Sequence, residues 1–151
     1  DYFCYLEDLD LGFRLRLAGY RCLYVPASVA HHVGSGTTSG QHSDFAVYHG
    51  HRNLVWTYVK NMPWVLFWAF LPLHLAMNLV ALMVFSCRGQ GRTMLRAKRD
   101  ALRGIPKMWW KRRSIQSSRI TTVREIWRLM DKSITPIGRI NICNHRNKCR
   151  R

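Results

Sequence analysis

Three carboxylates in four residues, Glu7, Asp8 and Asp10, are the sharpest chemical feature of the sequence. One of them, tuned by a neighbouring acid or a metal, could take a proton as a general base. Acids at a helix start also cap orphan amides and complement the helix dipole, so the cluster has an equally ordinary structural reading. Asp10 has Arg14 four residues on, the spacing of an ion pair along one helix face, and reads as structural support. Imidazoles come next: His31 and His32, then His42, His49 and His51, with Arg52 and Asn53 directly after. Each alone is an ordinary surface or core residue, but a cluster folded beside carboxylates could hold a divalent metal.

The five cysteines, Cys4, Cys22, Cys87, Cys143 and Cys149, are odd in number, scattered and without a CxxC pair. That indicates neither a disulfide framework nor a zinc ribbon, and it fits a reducing, cytosol-facing location. Cys143, His145 and Cys149 offer three ligands where structural zinc takes four, so that stretch reads as an unstructured tail.

Elements that would position the acidic cluster are a strand over 2–5, aromatic and apolar, then a short helix. Leu9, Phe13 and Leu17 recur at i, i+4 and i+8, acids sit at the positive end, and Gly19 stops the helix. Strands are expected over 20–25, closed by Pro26, and over 29–33, followed by a glycine- and serine-rich loop over 34–40 that suits a site loop. A helix is expected over 45–62, ended by Pro63. Residues 64–85 are uncharged and mostly apolar, close to the roughly 20 residues a spanning helix needs. Pro72, His74 and Asn78 interrupt that segment, and Trp56, Trp64 and Trp68 lie toward one end as an interfacial belt would.

Beyond Arg88 the polarity reverses. Residues 1–62 carry five Lys and Arg against five Asp and Glu, whereas 87–151 carry nineteen against three. A basic block directly after an apolar span suits anionic lipid headgroups, and the charge alone would also suit nucleic acid. Leu95, Leu102, Ile105 and Trp109 share one rough helical face with Arg96, Lys98, Arg99 and Arg103 elsewhere, as in a helix lying in the headgroup plane. Thr122 and Glu125 form a capping box ahead of Ile126, Trp127 and Met130. If the apolar segment crosses once, the basic flank and the acidic cluster fall on opposite sides. A break at Pro72, giving a re-entrant or interfacial hairpin, would keep both on one side.

The strings FCYLEDLDLGFRLRLAGYRCLYVP, HHVGS and HGHRNLVWTYVKNMP resemble the end of the catalytic domain and the membrane-proximal region of bacterial family 2 glycosyltransferases, the rhamnosyltransferase-like group with the GT-A fold. The shared pattern is an aromatic run, Glu7-Asp8-x-Asp10, Arg14, Gly19, Pro26 and His32. It covers residues 1 to about 110, weakens over the later helix and is absent from the tail. The resemblance implies that Asp8 is the catalytic base and that His32 helps bind a divalent metal, Mg or Mn, at the donor diphosphate. It places Glu7 and Arg52 as substrate-binding groups. The nucleotide-binding strands and the Asp-x-Asp metal motif of such enzymes do not occur in the sequence, so the main metal ligands and the true start are expected upstream.

The expectation is therefore an α/β fold. Residues 1–62 would be the C-terminal part of a GT-A-like catalytic domain, 63–87 a transmembrane or re-entrant segment, 88–132 basic amphipathic surface helices and 133–151 a disordered tail. The expected function is inverting transfer of a sugar from a nucleotide-sugar donor to a lipid-linked or polysaccharide acceptor in envelope glycan synthesis. The expected site is the cytoplasmic face of the inner membrane, with anionic lipid as a partner and no nucleic acid. The alternatives are a non-enzymatic membrane adaptor and a basic nucleic-acid-binding protein.

Overall fold

The computed structural model describes residues 2–23, 25–29 and 43–130. Among these residues every regular element is helical: α1 (Glu7–Leu17), α2 (Asp44–Asn61), α3 (Trp64–Cys87), α4 (Gly91–Ser117) and α5 (Val123–Leu129). The expected α/β fold is thereby corrected. No strand forms over 2–5, nor over the described part of 20–25, and the expected strand over 29–33 and loop over 34–40 lie, beyond Val29, outside the described residues. The reason is visible at Tyr5 and Leu6, whose φ values of 62° and 65° are left-handed and incompatible with a strand. The carbonyls of Cys4 and Tyr5 bond a side-chain amide instead of a neighbouring strand, accepting from Asn53 Nδ2 at 2.8 and 2.9 Å.

The helices have identifiable starts and stops. In α1 the run ends at Gly19, φ +86°, where the Leu17 carbonyl accepts from the backbone N–H groups of Ile120 and Thr121. The Ser43 hydroxyl caps α2 by accepting from the Ala46 N–H at 3.2 Å, and Pro63 cannot continue that helix. The Thr122–Glu125 capping box opens α5 with both of its reciprocal bonds present. Two prolines are carried inside helices, Pro72 in α3 and Pro106 in α4. The break expected at Pro72 is therefore corrected too: α3 runs unbroken for 24 residues.

Side-chain pairings set the arrangement of the long helices. Tyr48 Oη donates to Asp100 Oδ2 at 2.9 Å, Trp56 Nε1 to the Ala101 carbonyl at 2.9 Å and Arg112 Nη1 to the Val59 carbonyl at 2.9 Å. Numbers rise together along both helices, so α2 and α4 run parallel. Between them in sequence, α3 returns antiparallel, with Phe67 and His74 against Tyr58 and Phe85 against His51. The buried face of α4, Met94, Ala97, Ala101 and Met108, packs toward α2 at helical spacing. Gly104 completes that face: a Cβ there would lie 2.6 Å from the Trp56 indole. A core of Leu17, Val59, Met62, Leu66, Met108 and Ile126 sits where α1, α3 and α5 meet the C-terminal half of α2 and α4.

Candidate functional site

The acidic cluster is set in place by the turn ahead of α1. Two consecutive left-handed residues without glycine cost on the order of 1–3 kcal/mol each, so neighbours must hold them. Asn53, fully buried in the middle of α2, does so. Both of its amide hydrogens go to the Cys4 and Tyr5 carbonyls, and its Oδ1 accepts from Arg52 Nε at 3.1 Å and Nη2 at 3.0 Å. All four hydrogen-bonding positions of the amide are thus used. Arg52 is fixed in turn by His49 Nδ1, 3.2 Å from its Nη2, and by stacking over Trp56, 4.5 Å from the ring centre. Arg52 therefore braces the turn from beneath.

One turn further along, Asp10 is 3% exposed. Lys60, itself 4% exposed, approaches to 2.8 Å, Arg14 Nε to 3.0 Å, and Asn61 Nδ2 donates at 2.6 Å. Burial pushes the Asp10 carboxyl up, but the hydrogen bonds from Lys60 and Asn61 and the charges of Lys60 and Arg14 outweigh it and hold the group below the usual carboxylate range. The Lys60 ammonium also lies 4.6 Å from the Tyr2 ring centre, and the Tyr2 hydroxyl, 3.0 Å from Thr57 Oγ1, is pushed up chiefly by burial. Asp10 is committed to this network.

Glu7 and Asp8 stand exposed on the first turn of α1, and Asp8 Oδ1 accepts from the Leu9 N–H at 2.7 Å. The helix separates the two. Glu7 lines a cleft of about 400 Å³ together with Arg14, Lys60, Trp110 and Lys111. Asp8 lines a different and more apolar one of about 560 Å³, with Phe13, Arg16, Cys22 and Ile126. Arg52 lines neither. His32, expected as a metal ligand, lies outside the described residues, as do His31, His42, Cys143, His145 and Cys149. Among the described residues no group of three or more His, Cys, Asp or Glu side chains could hold a metal ion.

Sequence reading missed Asn53, Lys60 and Asn61 as partners of the acidic segment. A signal was present, since Asn53, Thr57, Lys60 and Asn61 recur at helical spacing and form one polar stripe, met by Tyr2, Cys4 and Tyr5 ahead of α1 and by Asp10 within it. A second polar group was likewise read as an interruption: His74 stacks on Tyr58 with ring centres 4.0 Å apart, and Asn78 Oδ1 accepts from Lys98 Nζ. Burial draws the Lys98 ammonium down to about 8.

The rim so built carries two exposed carboxylates, and the cleft that Glu7 lines mixes both signs of charge, Glu7 and Asp10 with Arg14, Lys60 and Lys111. Proteins that share part of this sequence are group-transfer enzymes. Over 49 residues the chain is 47% identical to "N-acetylglucosaminyl-diphospho-decaprenol L-rhamnosyltransferase" of Mycobacterium tuberculosis, in both strain CDC 1551 / Oshkosh and strain ATCC 25618 / H37Rv. That stretch is 32% of this chain and 16% of each relative, and it makes part of the chain glycosyltransferase-related. No protein-family profile matches the chain, and no solved structure matches it.

Proposed function

We propose that this chain is a region of an inverting, family 2-like glycosyltransferase that moves a hexosyl group from a nucleotide-sugar to a lipid-linked or polysaccharide acceptor in cell-envelope glycan synthesis. The proposed location is the cytoplasmic face of the inner membrane, on anionic lipid. The observation that carries the reading is the 47% identity over 49 residues to two enzymes whose name specifies a sugar-diphospho-lipid acceptor.

The acidic segment supplies the chemistry in this proposal. The Asp8 carboxylate takes the proton of the acceptor hydroxyl, and the oxygen forms its bond to the anomeric carbon from the face opposite the leaving group. The anomeric C–O bond to the donor breaks, and the nucleoside diphosphate leaves with the electron pair. In the cleft on the other side of α1, Glu7 would accept hydrogen bonds from acceptor hydroxyls, while Arg14 stays paired with Asp10 as structural support. Arg52 enters through the turn it braces. A divalent metal at the donor diphosphate, Mg or Mn with His32 among its ligands, is part of the same proposal. The described residues do not make such a site by themselves, so no step is derived through it.

Asp8→Asn in an enzyme of the relatives' full length that carries this region tests the reading. Turnover should fall by about 10²- to 10⁴-fold, the usual contribution of a positioned base, while vesicle binding and helical content stay unchanged. Undiminished transfer would remove Asp8 as the base.

A further inference from the structure

The membrane association just proposed leaves open how the apolar helix meets the bilayer, and the packing of α3 answers that. By length, 24 residues at about 1.5 Å each reach roughly 36 Å, enough to cross. By its neighbours it is a different kind of element. Contacts with α2 and α4 continue from one end of α3 to the other: Trp64 and Phe67 meet Trp109, His74 meets Tyr58, Asn78 meets Lys98, and Phe85 meets His51. Whatever depth α3 reaches, α2 and α4 reach with it. Lys98 bonds Asn78, which stands about 4 Å along the axis from the middle of α3. The exposed side chains Arg96 and Arg99 are within one turn of Lys98, so a crossing would hold them near the bilayer centre. Each such charge disfavours that placement by roughly a hundredfold, and Arg92 and Arg103 would follow them into the hydrocarbon.

The faces sort differently when the helices lie flat. His74 and Asn78 point inward, so the outer face of α3 is unbroken by polarity, with Val65, Trp68, Leu75, Leu79 and Met83 all exposed. Leu95, Leu102 and Trp109 stand seven residues apart on α4 and so share one line along it. Trp109 of that line touches Trp64 and Phe67, which places the line on the α3 side, and Leu95 and Leu102 are 57% and 64% exposed there. Arg92, Arg99 and Arg103 begin on the next line round the helix. An apolar plane bordered by a row of cations matches the acyl region and the anionic headgroups of one leaflet.

We propose that α3 lies in the plane of one leaflet, its outer face with Leu95 and Leu102 in the acyl region and the α4 arginines among anionic headgroups, and that it does not cross. This rests on the membrane association in the proposed function and not on its chemistry. Both ends of α3 then lie on one side, together with Glu7 and Asp8, and the cleft that Glu7 shares with Lys111 sits beside the lipid surface.

The test uses the full chain, its five cysteines replaced by serine, with vesicles of phosphatidylcholine and phosphatidylglycerol. Nitroxide labels at Val65→Cys, Ala76→Cys and Met83→Cys report depth. A helix in the plane gives one depth for all three within a few ångströms, whereas a crossing separates Val65 from Ala76 by about 16 Å along the axis. The second result overturns the in-plane placement and leaves membrane association standing. Failure to float with vesicles overturns both, and a stable dimer in solution would then assign the apolar face to a second copy. Arg92→Gln, Arg99→Gln and Arg103→Gln should each weaken partitioning into anionic vesicles roughly fivefold, and unchanged partitioning would overturn the headgroup placement.

Discussion

The junction of α1 with α2 and the outer face of α3 invert each other. At the junction Asp10, Asn53, Lys60 and Asn61 are buried, while on α3 tryptophan, leucine, valine and methionine side chains are exposed. Both follow from one rule about partners. A buried charge persists where other groups replace its water, as Lys60, Arg14 and Asn61 do for Asp10. An exposed apolar face persists where the surroundings are themselves apolar. The junction therefore reports geometry that the sequence must enforce internally. The α3 face reports the medium it was selected against.

The sharpest way to break the contrast is to make the junction behave like an ordinary apolar contact. Asp10→Asn removes the buried carboxylate charge that Lys60 Nζ, Arg14 Nε and Asn61 Nδ2 share and should destabilise the fold by about 3–5 kcal/mol, read from urea unfolding at neutral pH. The double change Asp10→Leu with Lys60→Met removes both charges and should recover part of that loss, the remainder being the Asn61 Nδ2 donor left without its acceptor. Acid sharpens the point. The folded-state carboxyl of Asp10 is held below its ordinary value of 3.8, so its contribution is complete above that value and is lost as pH falls through the lower, folded one. Wild-type stability should drop in that range and the double variant should not follow it.

A middle-sized effect is expected where α4 meets α2. Gly104→Ala would bring a methyl 2.6 Å from the Trp56 indole and should cost about 1–3 kcal/mol through overpacking, with loss of the Trp56 bond to the Ala101 carbonyl. Thermal unfolding followed by tryptophan fluorescence reads both at once. An exposed site on the same helix, Arg113→Ala, should change stability by less than about 0.5 kcal/mol. Equal losses at the two positions would mean that the α2–α4 contact does not depend on close approach.

Much of the helical framework was legible because its signals are local. Leu9, Phe13 and Leu17 with Gly19 mark α1, Pro63 ends α2, and Thr122 with Glu125 opens α5. Gly104 and Pro106 lie inside α4 and the helix passes through both; at Gly104 the missing side chain is what lets the Trp56 ring approach. The aromatic runs at 2–5 and 20–25 were illegible for the opposite reason. Strand propensity records how a side chain suits a pleated surface, and it cannot say whether a neighbouring strand is there to bond. At Cys4 and Tyr5 the bonding groups came from Asn53, 48 or 49 residues away in sequence. Of the acidic segment, sequence spacing offered the Asp10–Arg14 pair. It could not show that Glu7 and Asp8 open onto separate clefts, because that depends on where α4 and α5 pack.

Lys98 belongs to neither region, a charge half-buried where α4 meets the His51 carbonyl of α2 and the inward-facing Asn78 of α3, and a small effect is expected there. Burial draws its folded value down to about 8 from an ordinary 10.5. Between those values the unfolded chain binds the proton more readily than the folded one, so stability should rise with pH across that window. After allowance for screening by solvent the gain should be on the order of 1 kcal/mol. Lys98→Met should flatten the rise, leaving Asn78 to bond the His74 carbonyl alone. The measurement distinguishes the two surroundings as well: in anionic vesicles the headgroups favour the ammonium, so the rise should begin at higher pH than in detergent of neutral charge. An identical onset in both media would place Lys98 away from the lipid surface and, with it, the middle of α3.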